Sequence, residues 1–186
     1  FIYPGSYSSW HGAEIFVEAL ALLVQSTPLS RLLFIGNGTE QATLRERADR
    51  LGVGNRVQFL PPVAANELSP ILSGATAALA SLRPGTGYDY AFTTKTYSAL
   101  AAGCPVVFTG PGPTGDFLEA ANSEVRAGAV VPFDAVAVAA AMQSQLDHPV
   151  SGEERQALSE WVSRKHSLAS VADRICSVIE GAARAP

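Results

Sequence analysis

A chain of 186 residues, 47% hydrophobic and 16% charged, has the size and apolar content of one packed domain and lies outside the disordered class. Thirteen basic against seventeen acidic residues leave a net charge of -4, the wrong sign for a nucleic-acid footprint. No apolar run reaches the ~20 residues of a membrane-spanning helix, and the richest one, residues 15–24, is interrupted by Glu18.

Short apolar runs recur at residues 1–3, 32–35, 57–60, 75–82, 106–109 and 129–131. Most are continuously apolar, as strands covered on both faces of a parallel sheet are. Between them lie helical patterns. Phe16, Leu20, Leu23 and Val24 share one helical face, as do Leu44, Ala48 and Leu51, with Thr39 expected as cap and Gly52 as stop. Tyr97, Leu100 and Ala101 precede Gly103, which suits a helix end. Residues 136–146 read as a further helix, and residues 150–186 as tail helices with an apolar stripe of Val171, Ile175, Val178 and Ile179. The alternation predicts an α/β fold: a Rossmann-like, doubly wound parallel sheet of about six strands, in a single domain over residues 1–186. The chain opens on Phe1, already in a strand pattern and with no initiator Met, and so reads as a piece of a longer protein.

Cys104 and Cys176 lack the spacing of a zinc or redox pair and read as buried free thiols, which suits a reducing cytoplasmic compartment. His11, His148 and His166 have no ligand-like spacing, so no metal site is expected.

In open α/β sheets ligands bind outside the carboxyl ends of the strands. Gly5 and Ser6 follow the first predicted strand, and Gly36, Asn37 and Gly38 the second. Pro61, Pro62 and Val63 follow the third, residues 83–92 the fourth, and the Gly/Pro segment 110–115 the fifth. Glycine at such an edge lets backbone approach a ligand, although Gly36-Asn37-Gly38 reads equally as a tight strand-to-helix turn. Thr93, Thr94 and Lys95 are expected to open a helix. There free amides, two hydroxyls and an ammonium would together suit a diphosphate. The bland alternative is a threonine cap beside a solvated lysine.

The ordered set resembles the C-terminal domain of the family-4, or group 1, glycosyltransferases. It comprises Phe1-Ile2-Tyr3-Pro4-Gly5 with His11-Gly12, and Leu32-Leu33-Phe34-Ile35-Gly36-Asn37-Gly38. Arg56-Val57-Gln58-Phe59-Leu60 with Val63 follows, and then Lys95 with Ala101-Ala102-Gly103-Cys104-Pro105-Val106-Val107. The resemblance covers nearly the whole chain. It implies one half of a two-domain GT-B fold whose acceptor-binding N-terminal domain lies elsewhere in the protein. It also implies that a nucleotide-diphospho-sugar is the donor and that no cofactor is needed. On this resemblance Gly5, Ser6 and His11 would face the diphosphate, and Pro62 and Val63 the base, largely through backbone groups. Gly36, Asn37 and Gly38 would border the same site. The loop from Tyr88 to Phe92, with Asp89 and Tyr90 in it, would face the sugar, and Thr93, Thr94 and Lys95 the phosphates, with Ser98 beside them.

Four positions depart from the family pattern. Ser6 stands where many members carry Arg, His11 where they carry Lys, and Tyr90 and Ser98 where they carry two glutamates. Lys95 makes the chain similar to a subset that has a lysine at this helix start, and it could replace part of the missing positive charge. His11 could donate a hydrogen bond to a diphosphate and gain a proton from it, or simply open a helix beside Trp10. Arg83 could reach a phosphate or form a surface ion pair. Tyr88 and Tyr90 could stack on a sugar or pack on the missing domain.

The resemblance implies glycosyl transfer, retaining and independent of metal. No general base is evident in the chain, and the isolated domain is expected to bind donor weakly and transfer nothing, because the acceptor and parts of the catalytic cleft come from the other half. Any membrane association would reside in the missing half. A non-catalytic binding or scaffold module that has lost the donor-site charges is the alternative. A nucleotide-sugar epimerase of the same fold would need acid/base residues that the chain does not show.

Overall fold

The computed structural model describes residues 1–183. Six parallel strands form one sheet: β1 (Ile2–Pro4), β2 (Leu32–Ile35), β3 (Val57–Leu60), β4 (Ala78–Ser81), β5 (Val106–Thr109) and β6 (Gly128–Val131), in the order β3-β2-β1-β4-β5-β6. The register is continuous across the middle: Tyr3 lies beside Phe34, Phe34 beside Phe59, and Ala80 beside Phe108. The expected strands are all present, with the run at 75–82 trimmed to the four residues that pair.

Successive residues of a strand point to opposite faces, and the core divides accordingly. Tyr3, Leu32, Phe34, Leu79 and Val107 bury one face under α1 (Glu14–Leu23), α2 (Gln41–Arg50) and α6 (Ala135–Asp147). Ile2, Ile35, Ala78, Ala80, Val106 and Phe108 bury the other under α3 (Ala65–Ser73), α4 (Lys95–Ala101), α5 (Pro113–Asn122) and α7 (Gly152–His166). Each fully buried Leu or Phe among them contributes about 1.5–3 kcal/mol through its removal from water. This is the doubly wound α/β sandwich that the alternating pattern implies.

Local chemistry sets the helix ends. The Asp134 carboxylate accepts from the amides of Val136 (3.0 Å) and Ala137 (2.9 Å) and starts α6. Ser151 and Glu154 form a reciprocal capping box at the start of α7. Pro113 opens α5, so the helix begins inside the segment expected to be a loop through Gly115.

Other expectations are corrected. α2 starts after Glu40, and Thr39 makes no cap; Leu51 lies beyond the helix end and is exposed. α3 had no counterpart in the sequence reading, because Pro70 inside it interrupts a helical pattern. Cys104 is buried, but Cys176 is exposed on α8 (Leu168–Ala183), whose stripe of Ile175, Val178 and Ile179 also faces outward.

Candidate functional site

β1 and β4 lie side by side, but the chain leaves β1 toward β2 on one side and β4 toward β5 on the other. This is the topological switch point where open α/β sheets bind ligands. At the carboxyl ends of these strands lies a cleft of about 350 Å³. Its lining includes Gly5, Ser6, Trp10, His11, Thr94, Lys95 and Ser98. A second cavity of about 180 Å³ continues from it across Gly5, Ser6 and Leu68 to Gly36, Asn37, Pro62 and Val63.

The floor is made by the turn after β1. Gly5 has φ +95°, and its amide donates to the Ile35 carbonyl (2.8 Å), while the Tyr7 amide donates to Asn37 O (3.2 Å). The Tyr7 hydroxyl donates to Gly36 O (3.0 Å) from a fully buried position. The two strand-end turns are thus fastened together. Gly36 and Gly38 serve this packing: a Cβ on Gly36 would collide with the Gly5 carbonyl, and one on Gly38 with the Tyr7 backbone. Their missing side chains make room for neighbouring main chain. Gly36 still borders the second cavity, whereas Gly38 lies behind it.

His11 ends a 3₁₀ turn, Ser9–His11, and is buried. Its Nδ1 accepts from the Ser8 amide (3.1 Å), so the neutral ring carries its proton on Nε2. Burial, and then the nearby Lys95 ammonium, hold its pKa down at about 4. In the unliganded chain His11 is therefore a neutral donor rather than the cation that a bound diphosphate would favour. The Trp10 ring stacks on His11 at 3.6 Å and on Tyr88 at 4.6 Å, so both of its faces are covered. Tyr88, one of the candidate sugar platforms, is spent on this column.

Lys95, the first residue of α4, is half-buried and reaches back over β1. Its ammonium donates to Ser6 O (3.3 Å) and lies 3.8 Å from the centroid of the Tyr3 ring. Burial pushes its pKa down to about 7. It is the one Lys or Arg lining either cavity, and neither lining contains Asp or Glu. Among the described residues no three His, Cys, Asp or Glu side chains gather as a metal cage.

The remaining candidates divide. Thr94 and Ser98 are exposed on the cleft wall. Thr93 touches the cleft, but its hydroxyl is buried in a cluster with Thr96 (3.0 Å) and Thr114 (3.2 Å), which ties α4 to α5. Asn37, Pro62 and Val63 line the second cavity. Asp89 and Tyr90 line neither cavity: the Asp89 carboxylate accepts from the Gly85 amide (3.2 Å), and Tyr90 is 78% exposed. Arg83 pairs with Glu14 and donates to Ser9 O (3.1 Å), bracing the turn that carries Trp10 and His11. Trp10 and Leu68 are wall residues that the motif-based reading did not select, whereas Phe92 ends the loop from Tyr88 that it placed toward the sugar. The signal available for Trp10 was its adjacency to His11.

Residues 1–148 match the family model described as "Glycosyl transferases group 1". The chain belongs to that family. As a group 1 glycosyl transferase it is 28% identical over 154 residues to a glycogen synthase of Mycobacterium tuberculosis, a match covering 83% of this chain and 35% of that protein. The chain thus spans about a third of the length of the curated relatives it matches.

Similar solved structures share the fold. Anabaena HepE in complex with UDP-glucose has a TM-score of 0.69 at 20% identity, covering 97% of this chain and 49% of that one. The pneumococcal O-GlcNAc transferase GtfA, in complex with UDP and GlcNAc, has a TM-score of 0.72 at 16% identity, covering 100% of this chain and 36% of that one. WaaG, a glycosyltransferase involved in lipopolysaccharide biosynthesis, has a TM-score of 0.69 at 22% identity, covering 97% and 47%. The six-stranded sheet is the Rossmann-like domain of the GT-B glycosyltransferases.

Proposed function

We propose that this domain binds the nucleotide-diphospho-sugar donor of a glycosyltransferase and stabilises the diphosphate as it departs. The observation that carries the proposal is Lys95: the one cationic side chain in a cleft without carboxylates, at the switch point of the sheet. A diphosphate against Lys95 would restore the charge that burial suppresses, and Thr94, Ser6 and the His11 Nε2–H are the neighbouring polar groups available to its oxygens. The cavity between Asn37 and Pro62–Val63 would take the nucleoside, and the sugar would lie toward Trp10 and Phe92.

In this reading the protein contributes positioning and preorganised charge, with little covalent chemistry. Charge on the departing diphosphate is met by Lys95 rather than by a resident metal, so transfer proceeds without one; retention of anomeric configuration is taken from the family resemblance alone. The acceptor is held by an N-terminal domain of the full-length protein, and this chain alone transfers nothing. The buried thiol of Cys104 suits a reducing cytoplasm, with any membrane association arising outside this domain. No helix among the described residues is long and apolar enough to cross a membrane.

The test is a ligand-detected NMR screen of the 186-residue chain against UDP-, GDP-, ADP- and dTDP-sugars, with and without magnesium. Saturable binding of one nucleotide class in the presence of a chelator is expected. Absence of binding at millimolar ligand, or binding only with magnesium, contradicts the proposal.

A further inference from the structure

Tyr3 is an unusual choice for the middle of a buried strand. Its ring is fully buried and fixed by three aromatic neighbours: Phe34 at 5.4 Å, Phe16 at 5.7 Å and Tyr7 at 6.4 Å between centroids. Packing alone would be served by Phe, which avoids placing a hydroxyl in the core. That hydroxyl reaches the carboxyl end of the strand and donates to Ser6 O at 3.4 Å. The same carbonyl oxygen accepts from the Lys95 ammonium at 3.3 Å, and the ammonium lies over the face of the same ring at 3.8 Å. Ring face, hydroxyl, Ser6 carbonyl and ammonium form a closed unit at the floor of the cleft. A cation over an aromatic face is held by the ring quadrupole, and the attraction grows when water is excluded. No carboxylate in the cleft lining could do this instead.

We propose that Tyr3 is a positioning residue for donor binding: it holds the Lys95 ammonium and the Ser6 peptide in the geometry that a diphosphate requires. This deepens the donor-site reading and rests on it. Tyr3 itself touches no ligand; it acts through Lys95 and Ser6.

The chain contains two lysines, Lys95 and Lys165; Lys165 is ion-paired with Glu124 and itself lies 5.7 Å from the centroid of the Trp161 ring, so free lysine serves as the reference. Lysine labelled with carbon-13 at Cε therefore gives two signals. In the wild-type chain the Lys95 ε-methylene protons are expected upfield of those of free lysine in the same buffer, shifted by the Tyr3 ring current; coincidence with free lysine overturns the proposal. Titration calorimetry then follows whichever of UDP, ADP, GDP and dTDP binds the wild-type chain most tightly. Tyr3→Leu is expected to abolish the upfield shift, lower the Lys95 titration midpoint and weaken binding about tenfold. Tyr3→Phe keeps the ring current and midpoint and weakens binding about threefold, through the lost hydroxyl.

A folded Tyr3→Leu protein that binds as the wild type does overturns the proposal. If that variant does not fold, Tyr3→Phe decides, and unchanged affinity there overturns it. Wild-type protein that binds none of the four nucleotides, or Lys95→Met with undiminished binding, overturns the donor-site reading and this inference together. Weakened binding in Lys95→Met with none in folded Tyr3→Leu overturns this inference alone.

Discussion

Gly36 and Gly5 meet so closely at the ends of β2 and β1 that a Cβ on Gly36 would overlap the Gly5 carbonyl oxygen. Gly36 also has φ +146°, a conformation L side chains rarely adopt. The atom it would strike is main chain and has no rotamer by which to retreat. Gly36→Ala is therefore expected to destabilise the fold by about 3 kcal/mol and to displace the cleft floor. A urea melt showing a loss below about 1 kcal/mol would mean that the two turns separate easily.

Removing the cleft's cation should separate binding from stability. Lys95→Met is expected to weaken nucleotide-sugar affinity between about tenfold and a hundredfold, the scale of one hydrogen bond to a charged group. The melting temperature should hold or rise, because burial already disfavours the ammonium in the folded chain. Calorimetric titration and a thermal melt on the same preparation check both parts.

The pH dependence of stability follows from the same pair of groups. Lys95 is held to about 7 against 10.5 for a free lysine. Between those values the unfolded chain carries the extra proton, so stability rises with pH above about 7. His11 is held to about 4 against 6.5. There too the unfolded chain binds the extra proton, so stability falls as pH drops from about 6.5 toward 4. Both slopes have one sign, and scanning calorimetry should show a melting temperature climbing from pH 5 through pH 9. Lys95→Met should flatten the upper part and, by removing the charge that helps hold His11 down, lessen the lower slope without abolishing it, since burial is the larger cause.

Arg155 on α7 donates to three carbonyls: Ser73 O (3.2 Å) and Gly103 O (3.2 Å) from Nη1, and Ala75 O (2.7 Å) from Nη2. It fastens the far ends of α3 and α4, away from the cleft. Arg155→Met should cost about 2–3 kcal/mol by stranding acceptors, while nucleotide affinity of the folded fraction stays unchanged. A parallel loss of affinity would show that the clamp also sets the cleft.

The fold was legible because strands covered on both faces leave short, unbroken apolar runs, and all six were visible. α3 was not, because propensity penalises Pro70 and only the packing of Leu72, with Leu68 and Ile71 beside it, outweighs that. The site was legible in part. Ser6, His11, Thr94, Lys95 and Ser98 do converge on one cleft, since each follows or faces a strand end at the switch point. Thr93 and Gly38 did not follow their motif reading, because a hydroxyl cluster and a neighbouring main chain claim them first. Trp10 carries no motif, and Tyr3 stands in the first-strand run without a role assigned to its ring or hydroxyl. Their contribution depends on which rings the sheet brings beneath Lys95 and against His11, and one-dimensional spacing holds no record of that.

The lack of carboxylates in the cleft has a kinetic consequence, because the chain as a whole carries a net charge of -4. A polyanionic ligand is repelled by the molecule at long range and attracted only within a few ångströms of Lys95. Moderate salt screens the distant repulsion more than the contact inside the cleft. Encounter should then quicken as ionic strength rises from a few millimolar, and slow only when the close contact is itself screened. On the donor-site reading proposed above, this domain would receive its anion by excluding negative charge from one place rather than by gathering positive charge around it.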